Sequence, residues 1–169
     1  MTRRMIVFSD LDGTLLDHET YSFEPARPAL DRLKREGHVL VLASSKTAAE
    51  IAPLRDAMGF SHCPAIVENG AGILAAGEGV KGDGPTRHDE ILQALSTLPD
   101  ALRKNFAGFS DWDVEEIAAR TGLPPEQAEK AARRCFSEPG IWSGSDDELE
   151  TFVTRLSQSG ITGVRGGRF

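Results

Sequence analysis

The chain has 169 residues, of which 40% are hydrophobic and 27% charged, and a formal net charge of −7. That length can bury a real core as one sizeable domain or two small ones, while the acidic balance argues against nucleic acid or an anionic membrane as the main partner, since both need a basic face. No run approaches the ~18 apolar residues of a membrane span, and no basic start leads into a long apolar stretch, so the cytoplasm is the expected location.

Met5 to Phe8 form a short apolar run that suits a strand buried on both faces of a parallel sheet. Asp10, Asp12, Gly13 and Thr14 follow at once, and ligands of open α/β sheets bind outside the carboxyl ends of strands. If the backbone stays extended, the Asp10 and Asp12 carboxylates leave on one side and Leu11 turns back to the core. Two carboxylates held that close repel unless a cation sits between them, and such oxygen ligands suit Mg²⁺.

Pro25 to Glu36 reads as an amphipathic helix with Ala29, Leu30 and Leu33 on one face and Gly37 as its stop. His38 to Ala43 is a second apolar strand, followed by Ser44, Ser45, Lys46 and Thr47. A helix from Thr47 to about Met58 starts under a hydroxyl cap and closes at Gly59. Ala65 to Val67 is a third strand, running into Glu68, Asn69 and Gly70. The alternation predicts parallel pairing with right-handed crossovers, a half Rossmann-like sheet.

From Ala71 the character changes. Gly72 to Ala75 fits a short strand or hairpin arm, and Gly77 to Pro85, with four glycines in nine residues, fits a flexible loop or hinge. Helical patterns run over Asp89 to Leu98, Val114 to Thr121, Pro125 to Arg134 and Asp146 to Ser159. Phe136 to Trp142 reads as extended and Gly160 to Val164 as a last strand. The spacing of Cys63 and Cys135 offers neither a disulfide framework nor a metal site, so both read as free, packed thiols.

The segment D-L-D-G-T, Asp10 to Thr14, resembles the first motif of the haloacid-dehalogenase-like (HAD) phosphatases. Its continuation through Leu15, Leu16, Asp17, His18, Thr20 and Tyr21 is similar to the mannosyl-3-phosphoglycerate phosphatase branch. Ser44 to Thr47 resembles that branch's T-S-K-T, Glu68 to Gly70 its E-N-G, and Arg134 with Phe136 to Pro139 its R-E-F-S-E-P, with Cys135 in place of the glutamate. The resemblance implies an α/β fold: a HAD-like Rossmann-type parallel-sheet core, here partial with three strands, over residues 1–75, and an inserted α+β cap domain over 76–169.

It also implies a Mg²⁺-dependent hydrolase of a small-molecule phosphate monoester, mannosyl-3-phosphoglycerate in particular. Asp10 would be the nucleophile that forms an aspartyl-phosphate and, with Asp12, a metal ligand. Asp12 would be the general acid and then base. Ser44, Ser45, Lys46, Asn69, Gly70, Ser137, Glu138 and Arg165 are the expected substrate and phosphate contacts. Other readings stay open at several of these positions. Ser44 to Thr47 also suits a helix cap, Glu68 to Gly70 a plain turn, and Arg165 with Arg168 a frayed terminus, while His18 and Tyr21 suit either substrate contacts or a solvated loop.

The resemblance further implies a lysine and a G-D-x-x-N-D segment after the cap, and no lysine follows Pro139 and no such segment occurs. Two expectations of different class follow: a phosphatase weakened or dependent on another chain, and a catalytically impaired or non-catalytic HAD-like protein that binds metal or anion without turnover. A sheet of three parallel strands would leave the first strand as an exposed edge, which predicts a homodimer or a local rearrangement covering it.

Overall fold

The computed structural model describes residues 4–17, 19–79 and 85–167, so His18, Arg168 and part of the glycine-rich loop lie outside the described residues. The chain divides into two units, Met1–Gly84 and Pro85–Phe169. Among the described residues no helix is long and apolar enough to cross a membrane.

The first unit is built on a four-stranded sheet in the order β1 (Ile6–Ser9), β2 (Val39–Ala43), β3 (Ala65–Val67), β4 (Gly72–Leu74). The first three strands are parallel and β4 returns antiparallel to β3. The helices α1 (Arg27–Arg35) and α2 (Ala48–Ala57) connect the parallel strands. α1 is preceded by a 3₁₀ turn at Glu24–Ala26, so the regular helix begins later than the apolar spacing predicts, and of its three apolar-face residues only Leu30 is buried. Gly37 and Gly59 follow the two helices at φ +70° and +79°, the left-handed conformation that glycine adopts at least cost.

Leu40, Leu42, Ala65 and Val67 lie on one sheet face and are at most 1% exposed. The other face carries Ile6, Phe8, Val39, Val41, Ala43, Ile66 and Ile73, as the strand register shows. Here the expectation of a first strand buried on both faces fails: Ile6 is 63% and Phe8 65% exposed. The physical reason is position, since β1 pairs only with β2 and forms the edge of the sheet.

Arg55 of α2, fully enclosed, ties the end of this sheet to the helix. Its Nη1 donates to the carbonyls of Cys63 at 2.8 Å and Ala75 at 2.9 Å, and its Nη2 to that of Glu78. Burial holds its pKa below the ordinary arginine value.

The second unit holds α3 (Arg87–Ser96), α4 (Asp100–Arg103), β5 (Phe106–Gly108), α5 (Val114–Thr121), α6 (Pro125–Ala132), β6 (Gly140–Trp142) and α7 (Asp146–Gln158). β5 and β6 form an antiparallel pair. One apolar cluster joins α3 and α7 through Leu95, Phe152, Leu156 and Ile161, and another joins α5 and α6 through Phe109, Ile117 and Ala128. Two expectations are corrected here. Only Gly140–Trp142 of the segment 136–142 is a strand, and Gly160 to Val164 forms none. Gly160 turns at φ +73° and Ile161 drops into the α3–α7 cluster, so the residue that suggested a strand is a core anchor after a helix end. The strand that pairs with β6 is Phe106–Gly108, three residues too short and too glycine-bearing to stand out as a pattern. Cys63 is buried and Cys135 half-buried, and neither is in a disulfide.

Candidate active site

Parallel pairing with nearly level register puts the carboxyl ends of β1, β2 and β3 side by side. Ser9 lies opposite Leu42, and Ala43 opposite Ile66. The three segments that follow them, 10–12, 44–46 and 68–70, are therefore neighbours, as expected at the ligand-binding edge of such a sheet.

Leu11 is wholly buried while Asp10 and Asp12 are exposed, the alternation anticipated for the motif. Beyond Asp12 the chain closes on itself at once. The Leu11 carbonyl accepts from the amides of Thr14, Leu15 and Leu16 at 2.8 to 3.2 Å, and Gly13 makes the turn at φ +74°. This fixes the spot from which the two carboxylates project.

Ser44 is buried, and its Oγ accepts from the Lys46 amide at 3.3 Å. Capping of α2 belongs to Thr47 instead: its Oγ1 accepts from the Glu50 amide, and the Glu50 carboxylate accepts from the Thr47 amide at 2.8 Å. The cap thus explains Thr47 and leaves Ser44 and Lys46 to the strand end. Backbone hydrogen bonds lock this loop to the next one, Glu68 N to Lys46 O and Asn69 N to Ser44 O, each 3.0 Å. Glu68, Asn69 and Gly70 take φ values of +51°, +57° and +90°. A left-handed glutamate that is 2% exposed is an uncommon conformation held by its surroundings.

The contact that sequence reasoning missed is between Lys46 and Asp12, Nζ to Oδ1 at 3.1 Å. The ammonium also lies 5.6 Å from the centre of the Tyr21 ring. Neither follows from spacing along the chain; the available signal was the parallel register of β1 and β2, which brings the two loops level. Ser45 is exposed on the same loop. Among the described residues no three of His, Cys, Asp and Glu gather into a metal-holding group.

Ser137, Glu138 and Arg165 belong to the second unit. Ser137 Oγ accepts from Arg134 Nη2 at 2.9 Å. The Glu138 carboxylate is enclosed, with one oxygen 2.6 Å from His88 Nε2 and the other accepting from Ser110 N at 2.8 Å and Ser110 Oγ at 2.6 Å. Gly108 leaves the room for it, since a Cβ there would meet Glu138 Oε1 at 2.2 Å. Arg165 is exposed in a segment without regular structure.

A haloacid dehalogenase-like hydrolase from Bacteroides thetaiotaomicron is similar in structure, with TM-score 0.59 at 20% identity over 99% of this chain and 69% of that one. A phosphatase of the haloalkanoate (HAD) superfamily from the same organism gives TM-score 0.52 at 20% identity over 90% and 60%. A HAD subclass IIB sugar phosphatase gives 0.52 at 16% identity over 92% and 64%. The chain thus spans 60% to 69% of the length of these three structures, and at such identities they show a shared fold. Residues 7–114, more than half of the chain, match the haloacid dehalogenase-like hydrolase family, and the chain belongs to that family.

Proposed function

We propose that the site at the strand ends hydrolyses the phosphate monoester of a sugar or glycosylated acid, with mannosyl-3-phosphoglycerate as the preferred substrate. The observation that carries this is the convergence of two exposed carboxylates, a buried serine and a lysine at the carboxyl ends of three parallel strands, with Lys46 3.1 Å from Asp12. The family supports a hydrolase, and one of the proteins that share the fold is a HAD subclass IIB sugar phosphatase. The choice of mannosyl-3-phosphoglycerate rests on the likeness of Asp17 to Tyr21 and Ser137 to Pro139 to that branch.

In this reading Asp10 attacks phosphorus, the ester P–O bond breaks, and the phosphoryl group passes to the Asp10 carboxylate. Asp12 gives its proton to the departing alkoxide and takes one from the water that then attacks the aspartyl-phosphate, releasing orthophosphate. Ser44 and Lys46 hold the phosphoryl oxygens, hydroxyl and point charge together. The donor set suits Mg²⁺ bound by few protein oxygens: the Asp10 carboxylate and the Asp12 main-chain carbonyl would hold it, with water completing the shell. When bound, such an ion offsets the charge of the phosphate dianion. The second unit, Pro85–Phe169, would serve as the cap that the resemblance sets at 76–169.

Incubation with a phosphate ester and Mg²⁺, acid quench and peptide mass analysis should find a phosphoryl group on the peptide that carries Asp10. A phosphoryl group found only elsewhere would contradict the assignment. A second reading, anion binding without turnover, draws on the donor count, because beyond Asp10 and Asp12 no third His, Cys, Asp or Glu joins them among the described residues.

A further inference from the structure

Tyr21 is the chain's one tyrosine, and its ring packs beside the Lys46 ammonium, which lies 5.6 Å from its centre. It is 54% exposed, although a ring of that size is ordinarily placed to bury its faces. Its backbone sits at φ +53°, in the left-handed region that a bulky side chain avoids. Among the described residues the other non-glycine residues with positive φ are Glu68 and Asn69, both in the candidate site.

The loop is built to keep it there. Asp17 Oδ1 accepts from Glu19 N at 3.2 Å, Thr20 N at 2.9 Å and Thr20 Oγ1 at 2.8 Å, and the Asp17 carbonyl accepts from Tyr21 N at 3.0 Å. The Asp17 amide closes the loop on the Ser22 carbonyl at 2.9 Å. Thus an exposed aromatic ring, in a costly conformation, is presented 5.6 Å from the ammonium that also touches Asp12. Strain maintained by a hydrogen-bonded loop beside reactive groups points to a ligand.

We infer that Tyr21 is the specificity residue of the site, stacking its ring on the sugar ring of a phosphorylated-sugar substrate whose phosphate faces Lys46; this rests on the phosphate-ester reading above. A sugar ring has a flat C–H face that suits an aromatic face and hydroxyls at its edge. The phenol hydroxyl and the Glu19 carboxylate, both on the exposed loop, offer those hydroxyls hydrogen-bond partners. An acyclic phosphate or orthophosphate has no ring to stack and engages only the phosphate-holding groups, Ser44 and Lys46.

The test is calorimetric binding, with Mg²⁺ present, of glucose 6-phosphate, glycerol phosphate, adenosine monophosphate and orthophosphate to the full chain and to Tyr21→Phe and Tyr21→Gly. Glycine adopts φ +53° freely, so Tyr21→Gly removes the ring while keeping the loop. The expected result is about tenfold weaker binding of the hexose phosphate to Tyr21→Gly, near-parent binding to Tyr21→Phe, and no change for glycerol phosphate or orthophosphate. With the single tyrosine fluorinated, its one fluorine resonance should shift further with the hexose phosphate than with orthophosphate. Equal losses for all ligands, no loss for any, or ring dependence confined to the nucleotide would overturn the inference while leaving the phosphate-ester reading intact. A parent chain that binds none of the four would remove both.

Discussion

Glu138 accepts hydrogen bonds from Ser110 N and Oγ and meets His88 Nε2, with 1% of its side chain exposed. A carboxylate so enclosed joins three stretches of the second unit: α3, the turn after β5, and the approach to β6. Truncation to alanine leaves the Ser110 donors and the His88 ring without their partner, so Glu138→Ala should cost about 3 kcal/mol in urea denaturation, and Glu138→Gln distinctly less. Equal stability of Glu138→Ala and the parent would show that the network contributes nothing. The sequence reading assigned this residue to substrate. Its hydrogen bonds assign it a structural part as well, and no spacing along the chain could reveal that, because His88 lies 50 residues away.

At the scale of elements, the helix starts carry much of the local order. Thr86 with Asp89, Thr47 with Glu50, and Ser145 with Glu148 form reciprocal capping boxes at α3, α2 and α7. Hydrogen bonds from the Thr86 backbone and hydroxyl hold the Asp89 carboxyl below its ordinary value of 3.8, and those from Ser145 hold Glu148 below 4.5. A carboxyl with a lowered folded-state pKa stabilises the fold above its ordinary pKa, and that contribution is lost as pH falls through the lowered value. The thermal midpoint should therefore fall on acidification from neutrality through that range, and an Asp89→Asn, Glu148→Gln double variant should show a shallower fall. An unchanged slope would mean that other groups govern the acid response.

Elements with strong local signals were legible: β2, α2 with its Thr47 cap and Gly59 stop, β3, and the helix Val114–Thr121 all fall where periodicity and caps put them. The motif Asp10 to Gly13 was legible for the same reason, an apolar strand followed by carboxylates and glycine. What stayed hidden depends on pairing across the chain. β5 is three residues of Phe, Ala and Gly that become a strand only against β6, and Gly160 to Val164 looked extended because Ile161 is apolar, although it anchors a core. The Lys46 contact with Asp12 arises from sheet register and has no local signature.

For the molecule as a whole, one sheet face bears three exposed large apolar residues, Ile6, Phe8 and Ile73, each more than 60% exposed. Apolar area of this kind at the edge strand favours association. Sedimentation equilibrium is expected to show a species heavier than the 18.3 kDa chain, and Phe8→Lys to shift it toward monomer. A parent that is monomeric at all concentrations would contradict this.

The first unit brings the segment Asp10 to Thr14 and the strand ends of β2 and β3 together, and hydrolysis through Asp10 is what we propose there. The most direct measurement is the rate of orthophosphate release from a sugar phosphate with Mg²⁺, compared among parent, Asp10→Asn and Asp12→Asn. Release by the parent with a loss of about 100-fold or more in both variants is the expected result. Parent-like release by Asp10→Asn, or none from the parent, would contradict it.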